Sequence, residues 1–204
     1  MQRYSLAIGL IMAVQVMQGL VPGTGNSSTI NSKNEKQMTN DTLIKKDVVL
    51  TRQFNVPVAT VWKAWNDPQL VMQWWGPTGF TSPVCKMDFR EGGTTLVCMR
   101  APKEWGGMDM YNTWAYTKII PNEFIEYIFD WADKDGNRID PTSIGMQADM
   151  PRAMRHTVSF KDLGNGRTEM TITEFGYPSD ELVALSKAGL SQCLDKMEQI
   201  WKKN

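Results

Sequence analysis

The sequence predicts an α+β fold, an antiparallel sheet carrying one long C-terminal helix. Three observations predict it. Apolar and polar residues alternate at period two in successive segments separated by Gly-, Asn- and Asp-rich turns, as in a run of hairpins. One helical period runs from Ser179 to Lys203. Between the first strand and the others lies a stretch, residues 54–77, whose Pro and Gly fall where helices start and stop. With 204 residues there is room for one domain with a sizeable core, and a tail.

Residues 1–22 hold Arg3 and then an apolar run interrupted by Gln15 and Gln18. The run is too short and too polar for a membrane span. It fits a secretory signal, or else an over-long start upstream of Met38. Residues 22–46 are rich in Gly, Asn, Ser, Thr and Lys without periodicity, the composition of a disordered tail. The expectation is a tail at 1–46, a domain at 47–204 and a cytoplasmic protein, or an exported one if residues 1–22 are a true signal.

Residues 47–54 (DVVLTRQF) are rich in β-branched side chains and read as a strand. Pro57 suits a first helical turn, and Val58, Val61, Trp62 and Trp65 follow on one helical face. Asp67 can cap a second short helix opening at Pro68 and carrying Leu70, Val71 and Trp74. Strands are expected at 83–89 and 94–101, joined by a turn at Glu91-Gly92-Gly93. Residues 108–120 and 123–131 make the next pair. In the latter, Ile125, Tyr127, Phe129 and Trp131 alternate with Glu126 and Asp130. The loop over 134–152 is long enough to serve as a lid, with plain surface irregularity as the alternative. Residues 155–161 and 167–175 form the last hairpin. The final helix presents Leu182, Leu185, Leu190, Cys193, Leu194, Met197, Ile200 and Trp201 on one face.

The pattern F-x-x-P-x-x-x-V-W-x-A-W-x-D-P-x-x-x-x-x-W-W-G-P over 54–77 resembles the opening signature of the SRPBCC (START-like) superfamily. It is most similar to the branch named after the C-terminal domain of the activator of the ninety-kilodalton heat-shock-protein ATPase. The resemblance runs from about Asp47 to the C-terminus. It implies a helix-grip fold, a curved sheet of about six to seven strands around the long helix, enclosing a cavity. It also implies a small hydrophobic or amphipathic ligand. Two other roles follow from the relatives: a polyketide cyclase or dehydratase-like enzyme, and a co-chaperone-like ATPase activator in the stress response.

Composition narrows the partners. Lys plus Arg is 22 and Asp plus Glu is 22, with no basic patch, so neither nucleic acid nor stable membrane insertion of the domain is expected. A homodimer or a chaperone partner stays open. The chain has one His and three widely spaced Cys (Cys85, Cys98, Cys193), so no metal and no cofactor is expected, and no catalytic motif stands out. Eight Trp and fourteen Met supply core, and Met also lines adaptable pockets. The cavity candidates are Trp75, Met87, Phe89, Trp114, Tyr127, Phe129, Trp131 and Met170, with His156 and Glu174 as inward polar groups. For each, plain core packing is the competing reading. Glu174 is expected at the cavity rim, since a buried carboxylate needs a partner.

Overall fold

The computed structural model describes residues 45–146, 148 and 150–202. The signal-like run and nearly all of the expected tail lie outside those residues. Strand β1 spans Lys46–Phe54, one residue earlier than expected, followed by α1 (Val58–Asn66) and α2 (Pro68–Trp74). Strands β2 (Cys85–Lys86), β3 (Thr94–Arg100), β4 (Asp109–Ile120), β5 (Phe124–Ala132), β6 (Met154–Gly164) and β7 (Arg167–Tyr177) come next, then α3 (Asp180–Lys202). Short 3₁₀ turns at Lys103–Trp105 and Pro141–Ile144 interrupt two loops. All pairs in the seven-stranded sheet are antiparallel, in the order β1-β7-β6-β5-β4-β3-β2. The curved sheet grips the long helix, an α+β helix-grip fold.

The two helical turns between β1 and β2 have a topological task. Those strands lie at opposite edges of the sheet, and α1 and α2 carry the chain across. Pro57 stands at the N-cap of α1, just outside the first turn, and Pro68 takes the first position of α2. The Asp67 carboxyl accepts from the Gln69 N–H at 2.9 Å, closing one of the open donors at the start of α2. Gly76 ends the unit at φ +91°, and a Cβ there would meet the Phe80 Cβ at 3.0 Å, so the turn requires glycine.

Helix α1 buries Val61, Trp62, Ala64 and Trp65 against β6 and β7. There Trp65, Trp74 and Trp114 form a knot with ring centroids 4.9–6.5 Å apart. Helix α3, about 35 Å long at 1.5 Å per residue, packs against β1 and α2. Trp201 meets Phe54 edge-on at 5.2 Å.

Two expectations need correction. The strand at 83–89 shrinks to Cys85–Lys86. Pro83 has no N–H to give a ladder, and the Arg90 N–H turns back to the Asp88 carbonyl at 3.0 Å, pulling the chain out of register. The alternation read in β5 also fails to separate the faces at Asp130, which is buried like its apolar neighbours. The chain after β5 folds back so that Ala132 bridges to Arg138, which brings the Arg138 guanidinium 2.5 Å from the Asp130 carboxylate.

Candidate functional site

Between the inner face of the sheet and the first half of α3 lies a cavity of about 100 Å³. Strands β3 to β7 supply one wall, the turn after α2 closes one side, and the loop between β5 and β6 covers another. The reason for the space can be read on α3. Its apolar face carries Leu182, Leu185, Leu190 and Cys193, but Ser186 and Gly189 interrupt it. Small residues one turn apart leave room that a Leu pair would fill.

The wall is mostly apolar, and five methionines contribute to it: Met99, Met110, Met146, Met150 and Met154. Met146 and Met150 come from the long loop, so that loop is part of the enclosure. Of the ten residues singled out in the sequence, Trp75, Phe129, Trp131, His156 and Glu174 line the cavity. The other five do not. Phe89 packs edge-on to Trp62 and Tyr116, and Met87 is half-buried beside the core. Trp114 belongs to the tryptophan knot, and Met170 accepts a 3.2 Å hydrogen bond from the Trp65 indole. Tyr127 lies directly opposite His156 on the neighbouring strand and is fully packed there. Helix α1 fills that end of the groove with Trp62 and Trp65, which confines the cavity to the other end.

A buried polar chain crosses the cavity wall. His156 and Glu174 are 3% and 7% exposed. The Tyr127 hydroxyl lies 3.3 Å from His156 Nδ1, and Glu174 Oε1 lies 3.9 Å from the same nitrogen. Burial lowers the His156 pKa from its ordinary 6.5, against an opposing pull from Glu174. The ring is therefore neutral at pH 7, and its approach to Glu174 is a dipolar contact rather than an ion pair. The Phe129 ring stacks on the imidazole at 5.2 Å and 10°. Glu174 is not at a rim. Tyr177 and Ser186 both reach its Oε2, at 2.7 and 2.5 Å, and Ser186 comes from α3. Two hydroxyls converging on one carboxyl oxygen satisfy it as an acceptor. That is the partner the sequence could not supply.

Each tryptophan N–H tells where its ring sits. Trp74 donates to the Ala64 carbonyl at 2.8 Å and Trp114 to Asn112 at 2.9 Å. Trp75 Nε1, Trp131 Nε1 and His156 Nε2 are buried and have no hydrogen-bond partner among the described residues. All three belong to cavity-lining residues. The turn that sets Trp75 is itself fixed by α3. Lys196 donates to the carbonyls of Trp75, Gly76 and Phe80 at 3.3, 2.9 and 3.0 Å.

Cys193 shares the cavity with His156, but burial pushes its thiol up to about 12, which holds it protonated at neutral pH. Among the described residues, no three His, Cys, Asp or Glu side chains gather as a metal site. Nor is any described helix long and apolar enough to cross a membrane.

Residues 55–202 match the family described as Activator of Hsp90 ATPase homolog 1-like protein. The chain belongs to this family. Solved structures of similar fold come from several bacteria. A protein of Arthrobacter aurescens aligns with a TM-score of 0.63 at 21% identity, covering 86% of this chain and 94% of its own. One of Chromobacterium violaceum aligns at 0.61 and 22%, covering 76% and 95%. The AHSA1 protein of Silicibacter pomeroyi aligns at 0.61 and 19%, covering 77% and 98%. At these identities the likeness is one of fold. Among curated proteins, none matches the chain.

The sequence reading missed the five methionines and the cavity-facing part of α3. A signal for the latter was present: Ser186 and Gly189 break an otherwise apolar helical face.

Proposed function

We propose that this AHSA1-like domain binds a small, mostly apolar molecule in the cavity between the sheet and α3. One observation carries the reading. The space between the sheet and α3 is walled by methionine and aromatic side chains from five strands, the covering loop and the helix, with few polar groups among them. Pockets for small molecules are mostly apolar, and flexible methionines let such a wall close around an apolar ligand.

The test is native mass spectrometry of protein purified from its own host, followed by denaturing extraction. A stoichiometric extra mass is expected. A bare mass, together with no binding of small aromatic probes, defeats the reading.

A second reading, a proton-transferring enzyme in the same cavity, draws on the Tyr127–His156–Glu174 arrangement. A buried imidazole with one nitrogen at the cavity wall can exchange a proton with a bound molecule. Turnover that survives His156→Gln would remove it. A chaperone-activator role is supported by the family description alone, and fold does not fix function.

A further inference from the structure

The face that α3 turns to the cavity has a gap in it. Gly189 is buried in the middle of that helix and lines the space. Most other described glycines turn the chain at positive φ, as Gly76 does, whereas Gly189 lies in ordinary helical backbone that any residue adopts. Glycine is a poorer helix former than alanine, so the backbone gives no reason for it.

The neighbours on its face say where a side chain would go. Leu185 and Ser186 precede Gly189 by four and three positions and Cys193 follows by four, so all four residues share one stripe of the helix. Leu185, Ser186 and Cys193 all line the cavity. A Cβ at Gly189 would therefore enter the same space.

The walls of the cavity differ in stiffness. Facing α3, five methionines form much of the wall, and their unbranched chains change rotamer to suit an occupant. The backbone of a 23-residue helix has no such freedom, because moving it disturbs the packing along its whole length. The size limit therefore lies on the helix side. At about 100 Å³ the cavity is smaller than the roughly 150 Å³ that holds benzene. One ring is the capacity once the methionines shift, with no surplus from which a methyl group could be taken.

We propose that Gly189 sets the size limit of the ligand: the bound molecule is apolar, about one six-membered ring in size, and lies against α3 in the room left by the missing side chain. This rests on the ligand-binding reading above and deepens it by naming the residue that selects for size.

The test is a homologous series, benzene, toluene, ethylbenzene and propylbenzene, titrated calorimetrically into the full chain and into Gly189→Ala. In the wild-type protein affinity is expected to rise about fourfold per added carbon, the effect of burying one CH₂, until the cavity is full, and then to fall. In Gly189→Ala that turning point is expected one carbon earlier, with the largest ligand accepted by the wild type weakened about tenfold. Without ligand the variant is expected to melt about 2–4 °C higher, because alanine is the better helix former and its methyl group fills space.

A lower melting temperature would show that Gly189 serves close packing of α3 on the sheet and would overturn its role. An unchanged turning point would place the size limit elsewhere, overturning the assignment of Gly189 and leaving the ligand-binding reading standing. No binding of any member to the wild type would defeat this inference and, together with a bare native mass, the ligand-binding reading as well.

Discussion

The two ends of the groove between the sheet and the long helix use the same residue type in opposite ways. At one end Trp65, Trp74 and Trp114 pack ring on ring, and every indole N–H has a partner within the protein. At the other, Trp75 and Trp131 are also buried and line the cavity, and their N–H groups have no partner among the described residues. The first arrangement satisfies its indole donors within the protein, whereas the second leaves two of them without a partner among the described residues. Burial alone does not distinguish core from site; bordering a cavity does.

The largest expected effect breaks the closed end. Trp74→Ala should cost about 3–5 kcal/mol in urea unfolding, through the lost ring and the cavity left behind. The same change at Trp131 should cost about half as much, because its ring already borders space. Equal losses would mean that both ends are packed alike.

Next comes the polar chain. Glu174→Ala strips the acceptor from the Tyr177 and Ser186 hydroxyls and should cost about 1–3 kcal/mol. Glu174→Gln keeps an acceptor and should cost clearly less. If the two variants unfold at the same denaturant concentration, those hydroxyl bonds add nothing to stability.

Protonation gives a finer contrast. His156 has a folded pKa below its ordinary 6.5, so the unfolded chain takes up the proton first as pH falls. Its contribution is therefore fully present above about pH 6.5 and is lost as pH drops towards the folded value. Stability should fall by at most about 1.4 kcal/mol per pH unit in that window. His156→Gln should flatten the slope. A slope that persists in the variant would place the titration elsewhere.

The smallest effect is a null one. Burial raises the thiols of Cys85, Cys98 and Cys193 to about 12, 11 and 12. None should react with iodoacetamide at neutral pH within the time that alkylates a free thiol. Rapid labelling of Cys193 would show that the cavity opens far more than its packing suggests.

The fold was largely legible in the sequence. Period-two alternation placed β4 to β7, Asp67 and Pro68 marked the start of α2, and the F-x-x-P to W-W-G-P motif fixed the family. What stayed hidden depended on distant partners. Asp130 alternates like a solvent-facing residue, and only the return of Arg138 buries it. Glu174 looked too costly to bury until Tyr177 and Ser186 met it. The cavity was legible only in kind. Inward aromatic residues are equivalent in a strand pattern, and it is α1, filling one end, that separates Trp114 from Trp131.

The pairing of β1 has a consequence for biosynthesis. Thr51 lies opposite Thr171, 120 residues later in the chain, and among the described residues β1 pairs with no other strand. At roughly 5–20 residues per second, the ribosome takes about 6–24 s to make that stretch. Throughout that time the first strand is ahead of the strand it pairs with, and the sheet cannot close until the last hairpin emerges. Nascent chains stalled before residue 167 should therefore engage holding chaperones, and those stalled beyond the final helix should release them.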